Sequence, residues 1–535
     1  MRDRFVNAPF DIAVIGSGFA GSLFAIICRR LGRSVVLVER GSHPRFAIGE
    51  SSSPLANLLL EELCDRYGLS RIRPLSAWGS WQRQYPGIGC GLKRGFTFYG
   101  HRLVQPFARD PGRGDQLLVA ASPRDDVADT HWYRADFDAF LAGEARAEGA
   151  EYLDSTRLDS VRAAAQGFDL EGERLGRRLT LRARFVADAS GPGGCLHRAL
   201  GLPSGRVPQL PATQGLFTHF TDVRRLEEIG IFPSTEEPPY PVDDAAVHHV
   251  FDGGWIWVLR FNNAITSAGV AAIPALAREI DLVEGAPAWD RLLARLPTVA
   301  RQFAGARATL PFVRRANLPF RSARAAGENW ALLPSAAAFV DPLLSTGFPL
   351  TLLGISRLAE AIETSWGRES FAGRLEAYAD ETLSEADSAA LLVSALYASF
   401  HDFPLFAAIS KLYFAAASFT EAARRLSRRD APRSFLCADH PVFGPAFQES
   451  CRAALASSAR GGPTSAEREE LLRRIDRSIE PLDVAGLRDA GRRNWHPVRA
   501  EDLLAGAHKL GATRQQIEDF LDHSGFFAPA ARELT

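Results

Sequence analysis

Cysteine is sparse and unpatterned. Six residues (Cys28, Cys64, Cys90, Cys195, Cys437 and Cys451) are scattered along 535, and no two form Cys-x-x-Cys. That excludes a disulfide framework and a thiolate zinc site, and leaves free buried thiols in a reducing cytosol as the expectation. Net charge is nearly absent too: at −1, no global field draws the chain to nucleic acid or an acidic membrane. No run of 18 or more apolar residues is present to span a bilayer. The opening MRDRFVNAPFDIAVIG lacks the order of a secretory leader, so a cytoplasmic protein without membrane or nucleic-acid partners is expected. Internal repeats and low-complexity segments are missing as well. What is present, 46% hydrophobic and 23% charged residues, is the balance of a folded chain, and one too long for a single ordinary domain.

The first forty residues carry the clearest pattern. Ile12 to Ile15 read as a short buried strand, Gly16, Gly18 and Gly21 make G-x-G-x-x-G, and residues 20–31 follow as a helix. Val35 to Val38 form a second strand that ends in Glu39. Gly16 allows the tight turn, Gly18 lets backbone approach a pyrophosphate, and Gly21 permits close helix–strand packing at a helix N-terminus that favours negative charge. Glu39 is placed to accept from a ribose. The motif alone is weak; with strand, helix, second strand and terminal acid all in place it predicts dinucleotide binding. A second strand running into Asp188 and a glycine-rich turn (RFVADASGPGGCLHRALGL, 184–202) is similar to the second FAD-contacting segment of flavoprotein oxygenases and reductases. HWYRADFDAFL (131–141) adds Arg134 on an amphipathic helix of the type such flavoproteins set beside the cofactor. No second complete G-x-G-x-x-G appears, so one FAD, reduced by a separate flavin reductase, is expected.

Further on, AAAFVDPLLSTGFPL (336–350) breaks an apolar run with Asp341-Pro342 and a Ser345-Thr346-Gly347 turn before a new helix. Such a break frees backbone N–H groups, which bind small anions.

Three stretches together resemble one family: SHPRFAIGESSSP (42–54), HHVFDGGWIWVLRFNN (248–263), and FVDPLLSTG (339–347), the last fitting F-x-x-P-x-x-S-x-G. The combination is similar to the FADH2-dependent halogenases, nearest to members that chlorinate phenylpyrroles. The resemblance implies an α/β fold: a Rossmann-type FAD-binding domain of the flavoprotein monooxygenase/halogenase type over 1–360, interleaved with a β-sheet substrate domain (roughly 70–130 and 205–325), then a helical region over 361–535. It implies that reduced flavin and O2 form a C4a-hydroperoxide, that chloride or bromide attacks it, and that the hypohalous acid travels to a lysine beside an electron-rich aromatic substrate, free or carrier-bound. Lys93 in GLKRGFTF matches that lysine by its neighbours; otherwise it is a solvent-facing strand residue. Its amine is expected to face a passage roughly 10 Å long, about three extended residues, leading from the 345–347 turn. Ser345, Thr346 and Gly347 are the halide candidates, with Asp341 and Gly347 also near the flavin; the alternative is that the same N–H groups touch only the flavin pyrimidine edge. Trp255 and Trp257 alternate along a strand and so share a face, the wall between flavin and substrate or simply a packed core strand. Glu50 contacts the flavin region or caps the helix near Pro54.

Three departures from the family pattern stand out, one being Pro334-Ser335 where flavoproteins of this fold often carry a Gly-Asp whose Asp grips the ribityl chain, which implies a more loosely held FAD that arrives already reduced. W-x-W-x-I-P ends here in Leu259-Arg260, which would reshape the wall or set a cation beside an acidic or carrier-bound substrate and keeps a plain aromatic hydroxylase in view. Leu344 stands where tryptophan-specific members carry glutamate, which argues against free tryptophan.

Overall fold

The computed structural model describes residues 9–108, 110–205, 207, 209–230, 237–428 and 432–527. Residues 1–8, on which part of the reading of the N-terminus rests, lie outside them. Strand Phe10–Ile15 lies between two parallel neighbours, Val35–Val38 and Arg177–Asp188, in an eight-stranded sheet. Ile12–Ile15 and Val35–Val38 are buried on both faces, which is why they read as unbroken apolar runs. The register aligns Ile15 with Val38 and with Asp188. The ends of all three strands therefore deliver Gly16, Glu39 and Asp188 to one edge. Helix Phe19–Arg30 crosses back over the sheet, with Arg29 and Arg30 in the last turn, where the helix dipole favours cations.

A second, nine-stranded sheet is built from 95–120, 214–272 and 307–315. Its strand Gly254–Arg260 shows the period of two plainly. Trp255, Trp257 and Leu259 join the main core, while Ile256 and Val258 join a separate cluster on the other face. The tryptophan face is covered by long helices, among them Ser370–Ala398 and Phe403–Arg425. Phe406 and Phe414 of the latter meet Phe96 and Phe98 edge-on at 5.2–6.2 Å, contacts worth about 0.5–1.5 kcal/mol each beyond area burial. Phe403–Arg425 is long and apolar enough to cross a membrane, yet 72% of its apolar window is buried inside the fold.

One element of the C-terminal region was not expected. Trp495–His496 adds a two-residue strand to the second sheet by pairing with Leu118 and Val119; two residues carry no readable period. All six cysteines are free thiols.

Between the sheets lies a two-stranded ribbon, Cys90–Lys93 against Asp129–Trp132. The chain leaves it at Arg94 and enters the second sheet at Gly95, where a Cβ would meet the Val119 carbonyl oxygen at 2.4 Å. The Lys-x-Gly spacing is thus the geometry of a crossing that keeps Lys93 inside.

Candidate active site

The glycine turn has the shape of a dinucleotide cradle. Gly16 has φ +97°, and a Cβ there would lie 2.8 Å from the Ala189 carbonyl oxygen. A Cβ on Gly21 would lie 1.9 Å from the Gly16 oxygen. Glu39 accepts from the Ser17 N–H at 3.0 Å, the Ser17 hydroxyl at 3.2 Å and the Gly41 N–H at 2.9 Å. Burial works to raise its pKa, but these donors and Arg45 prevail and hold it below the usual carboxylate range. Arg45 Nη2 is a fourth donor, 3.4 Å from Oε2, while Oε1 accepts only from Gly41; of the roughly two acceptor directions on each carboxylate oxygen, Oε1 keeps one for a further hydroxyl. Arg134 sits beside Gly18, its Nη2 3.5 Å from where a Cβ would be. Its guanidinium is bidentate to Asp138 at 2.7 Å, and Nη1 donates to the carbonyls of Ile48 and Gly49. Arg134 thereby ties the 48–50 segment to the cradle.

Asp188, expected beside the cofactor, is held by protein donors. Its carboxylate accepts from Ser190 (N–H 2.8 Å, Oγ 2.5 Å) and from the Leu196 N–H at 2.7 Å, so it shapes the turn that closes over Gly16. Asp341 likewise is surrounded by protein donors: Tyr397 Oη at 3.0 Å, the Leu343 N–H at 3.1 Å, and Trp255 Nε1 and Thr213 Oγ1 at 3.3 Å each. Burial pushes its carboxyl up to about 6 against these four bonds. It knots the tryptophan strand, helix Ser370–Ala398 and the following turn together. Tyr397→Phe, which withdraws one donor from that buried carboxylate, is expected to cost about 1.5–3 kcal/mol, read as a lowered urea midpoint; an unchanged midpoint would contradict the knot.

The turn itself is strained. Leu344 (φ 63°) and Ser345 (φ 55°) are consecutive non-glycine residues in the left-handed region, at about 1–3 kcal/mol each. Helix Gly347–Ser365 starts directly after. Among the described residues, no acceptor takes the N–H groups of Thr346, Gly347 or Phe348.

Lys93 is wholly buried. Nζ donates to Ser51 Oγ at 2.8 Å and to the Ser52 carbonyl oxygen, lies 3.5 Å from Ser345 Oγ, and stands 3.7 Å above the Phe96 ring. Taking an ammonium out of water costs several kcal/mol, more than a cation–π contact of about 2 kcal/mol returns. Burial accordingly lowers the amine to about 7, with Asp129 opposing. The expected 10 Å passage between turn and amine is not what forms: both belong to one hydrogen-bonded cluster, because the ribbon carrying Lys93 runs directly beneath the turn. The solvent-facing alternative is excluded by the same burial.

Trp255 and Trp257 share a face as expected, rings 5.6 Å apart, and His248 stacks on Trp255 at 5.3 Å. Arg260 lies on the opposite face, its guanidinium on Asp243 at 3.0 Å and on the Val223 and Arg224 carbonyls. It neither reshapes the wall nor offers a cation to a substrate. Glu50 does not cap the next helix; Ser53 does, accepting from the Ala56 N–H. One Glu50 oxygen meets His219 Nε2 at 2.9 Å, and the other is buried with no partner in the protein, the condition of an acceptor awaiting a bound group. Ser51, Ser52, Phe96, Asp129 and Tyr397 were not singled out by sequence reasoning. A usable signal existed for Lys93, since lysine occurs only at 93, 411 and 509 while Lys and Arg together number 62.

Known proteins resemble this chain in sequence and fold. Residues 14–57 match the family model described as an NAD(P)-binding Rossmann-like domain. The chain is 27% identical to tetracycline 7-halogenase of Kitasatospora aureofaciens over 100% of this chain and 98% of that one. It is 29% identical to the monodechloroaminopyrrolnitrin halogenase PrnC of Pseudomonas fluorescens over 76% of this chain and 70% of that one. The crystal structure of halogenase PltM in complex with phloroglucinol and FAD has the same fold, with TM-score 0.80 and 24% identity over 91% of this chain and 99% of that one. The strand-end cradle, the strained turn and the enclosed lysine are thus features of an enzyme that is similar over most of its length to flavin-dependent halogenases.

Proposed function

We propose that this enzyme uses reduced FAD, O2 and chloride or bromide to halogenate an electron-rich arene of the phenol, pyrrole or indole type, with Lys93 as the catalytic amine. The cradle fits the cofactor. Gly16, Gly18 and Gly21 present bare backbone to a pyrophosphate, the ionised Glu39 has one acceptor direction left for a ribose hydroxyl, and Arg134 stands beside Gly18. When bound, reduced FAD supplies the O2-derived two-electron oxidant. The protein's own residues do the remainder. The unpartnered N–H groups of Thr346, Gly347 and Phe348 hold the halide at a helix N-terminus. Lys93 donates to the oxygen of the resulting hypohalous acid, weakening the O–X bond. As the arene carbon bonds X, that bond breaks, the oxygen leaves as water after gaining a proton from the amine, and the arene's displaced proton restores the amine. Trp255 and Trp257 keep the arene away from the cofactor, so direct oxygen transfer is suppressed.

The observation that carries this reading is the wholly buried Lys93 amine, 3.5 Å from the Ser345 hydroxyl of a turn in which Ser345 N–H is bonded to Pro342 but the following N–H groups, from Thr346 to Phe348, are open. The molecules named with the relatives (a tetracycline, an aminopyrrolnitrin and phloroglucinol) support an electron-rich arene. A carrier-bound pyrrole is named for a further relative, a 1H-pyrrole-2-carbonyl-[peptidyl-carrier protein] chlorinase, and is the second substrate form to try. A separate cytoplasmic flavin reductase provides the reduced cofactor. The test is product mass spectrometry with purified enzyme, reductase, FAD and a panel of phenols, pyrroles and indoles, with and without bromide. Bromide-dependent isotope doublets are expected; oxygenated product without any halide requirement would establish a hydroxylase instead.

A further inference from the structure

Across the ribbon from Lys93 lies a carboxyl that the halogenation reading does not use. Asp129 opens strand Asp129–Trp132, and the antiparallel register sets it directly opposite Lys93. Directly opposed residues project to the same face of a ribbon, and both side chains here are buried. One carboxylate oxygen accepts from Asn57 Nδ2 at 3.0 Å; the other is buried with no partner in the protein. The polar neighbours that touch the amine (Ser51, Ser52, Ser345) are all uncharged.

Burial, and after it Glu421, raises the Asp129 carboxyl, with Lys93 and Arg425 opposing; burial thus works against the charge of both partners, and each resists it in the other. His131, on the strand of Asp129, and His248, on strand Ala246–Phe251, are both held neutral, first by burial and then by Lys93 itself. From helix Phe403–Arg425, Glu421 and Arg425 approach Asp129 but pair with each other at 3.0 Å. An enclosed ammonium without a counter-charge would shed its proton, and Asp129 is the one acid among the described residues whose attraction acts on Lys93.

Resting on Lys93 as the catalytic amine, we propose that Asp129 is its positioning residue: the buried counter-charge that lets Lys93 carry a proton inside an apolar site and thereby sets the pH range of halogen transfer.

The scarcity of lysine makes a direct test possible. Protein labelled with 13Cε-lysine has three labelled positions, Lys93, Lys411 and Lys509, and the signal missing from Lys93→Arg identifies Lys93. Asp129→Asn preserves shape and an acceptor for Asn57 but removes the charge. The Lys93 titration midpoint is expected to fall by about one pH unit or more, and the limb of the halogenation pH profile that belongs to Lys93 to move in the same direction. Asp129→Glu, which keeps the charge, is expected to hold the midpoint near that of the parent. An unchanged midpoint in Asp129→Asn overturns the proposal. A shifted midpoint with an unmoved halogenation profile upholds Asp129 as counter-charge and instead removes Lys93 from the chemistry. Should Asp129→Asn fail to fold, Asn57→Ala withdraws the hydrogen bond that favours the Asp129 anion; it should lower the Lys93 midpoint by a smaller amount, and no movement there overturns the proposal equally.

Discussion

Lys93→Ala is expected to lower halogenation by roughly 10²- to 10⁴-fold, the usual range for loss of a positioned proton donor, while O2 consumption with reduced flavin continues. The physical basis is enclosure. The amine touches two serine hydroxyls, one carbonyl and an aromatic face, and no water-exposed surface. No other lysine replaces it: Lys411 lies on helix Phe403–Arg425 and Lys509 bonds the Glu480 carbonyl near the surface. The cradle residues Gly16, Glu39 and Arg134 make no hydrogen bond to Lys93, so cofactor handling should survive. The measurement pairs an oxygen electrode with product mass spectrometry. Retention of more than about a tenth of the halogenated product would take Lys93 out of the mechanism, since a proton donor worth only tenfold is outside the expected range.

Gly21→Ala is expected to act at the other end of the site and to abolish cofactor retention. The added methyl would lie 1.9 Å from the Gly16 carbonyl oxygen and 3.0 Å from Ala189 Cβ. The first contact is with backbone, so no rotamer change relieves it; helix Phe19–Arg30 must draw back from the turn. Overpacking of this kind costs about 1–3 kcal/mol, and displacing a binding group by about 1 Å can cost on the order of 100-fold. A lowered melting temperature together with a loss of FAD affinity of about that size, by flavin fluorescence titration, is the expected pair of results. Parent-like affinity would show that the glycine turn is not where the dinucleotide binds.

How much of this was legible in the residues differs by element. The βαβ cradle was readable because its determinants are local: a run of buried apolar residues, three glycines at fixed spacing, a helix, and an acid at the second strand's end. Gly16 and Gly21 mean what the motif says they mean because their clashes lie within the turn or with the adjacent strand end. The shared face of Trp255 and Trp257 was readable from a period of two, whereas Arg260, read as altering that wall, lies on the far face bound to Asp243. Asp188 and Asp341 were identified as important positions, but their hydrogen-bond partners, from Leu196 to Tyr397, are set by packing.

By itself, then, the sequence determined where backbone could bend, where glycine was obligatory, which residues alternated, and the likeness to a halogenase. Tertiary structure alone decided what Lys93 is. Ser51 and Ser52 reach it from 41–42 residues away and Ser345 from 252, while Asp129 arrives through a ribbon register that no motif announces. The reason is that desolvation and charge pairing depend on what encloses a group in three dimensions. Spacing along the chain can nominate a lysine, but only enclosure lowers its proton affinity and makes a neighbouring carboxylate matter.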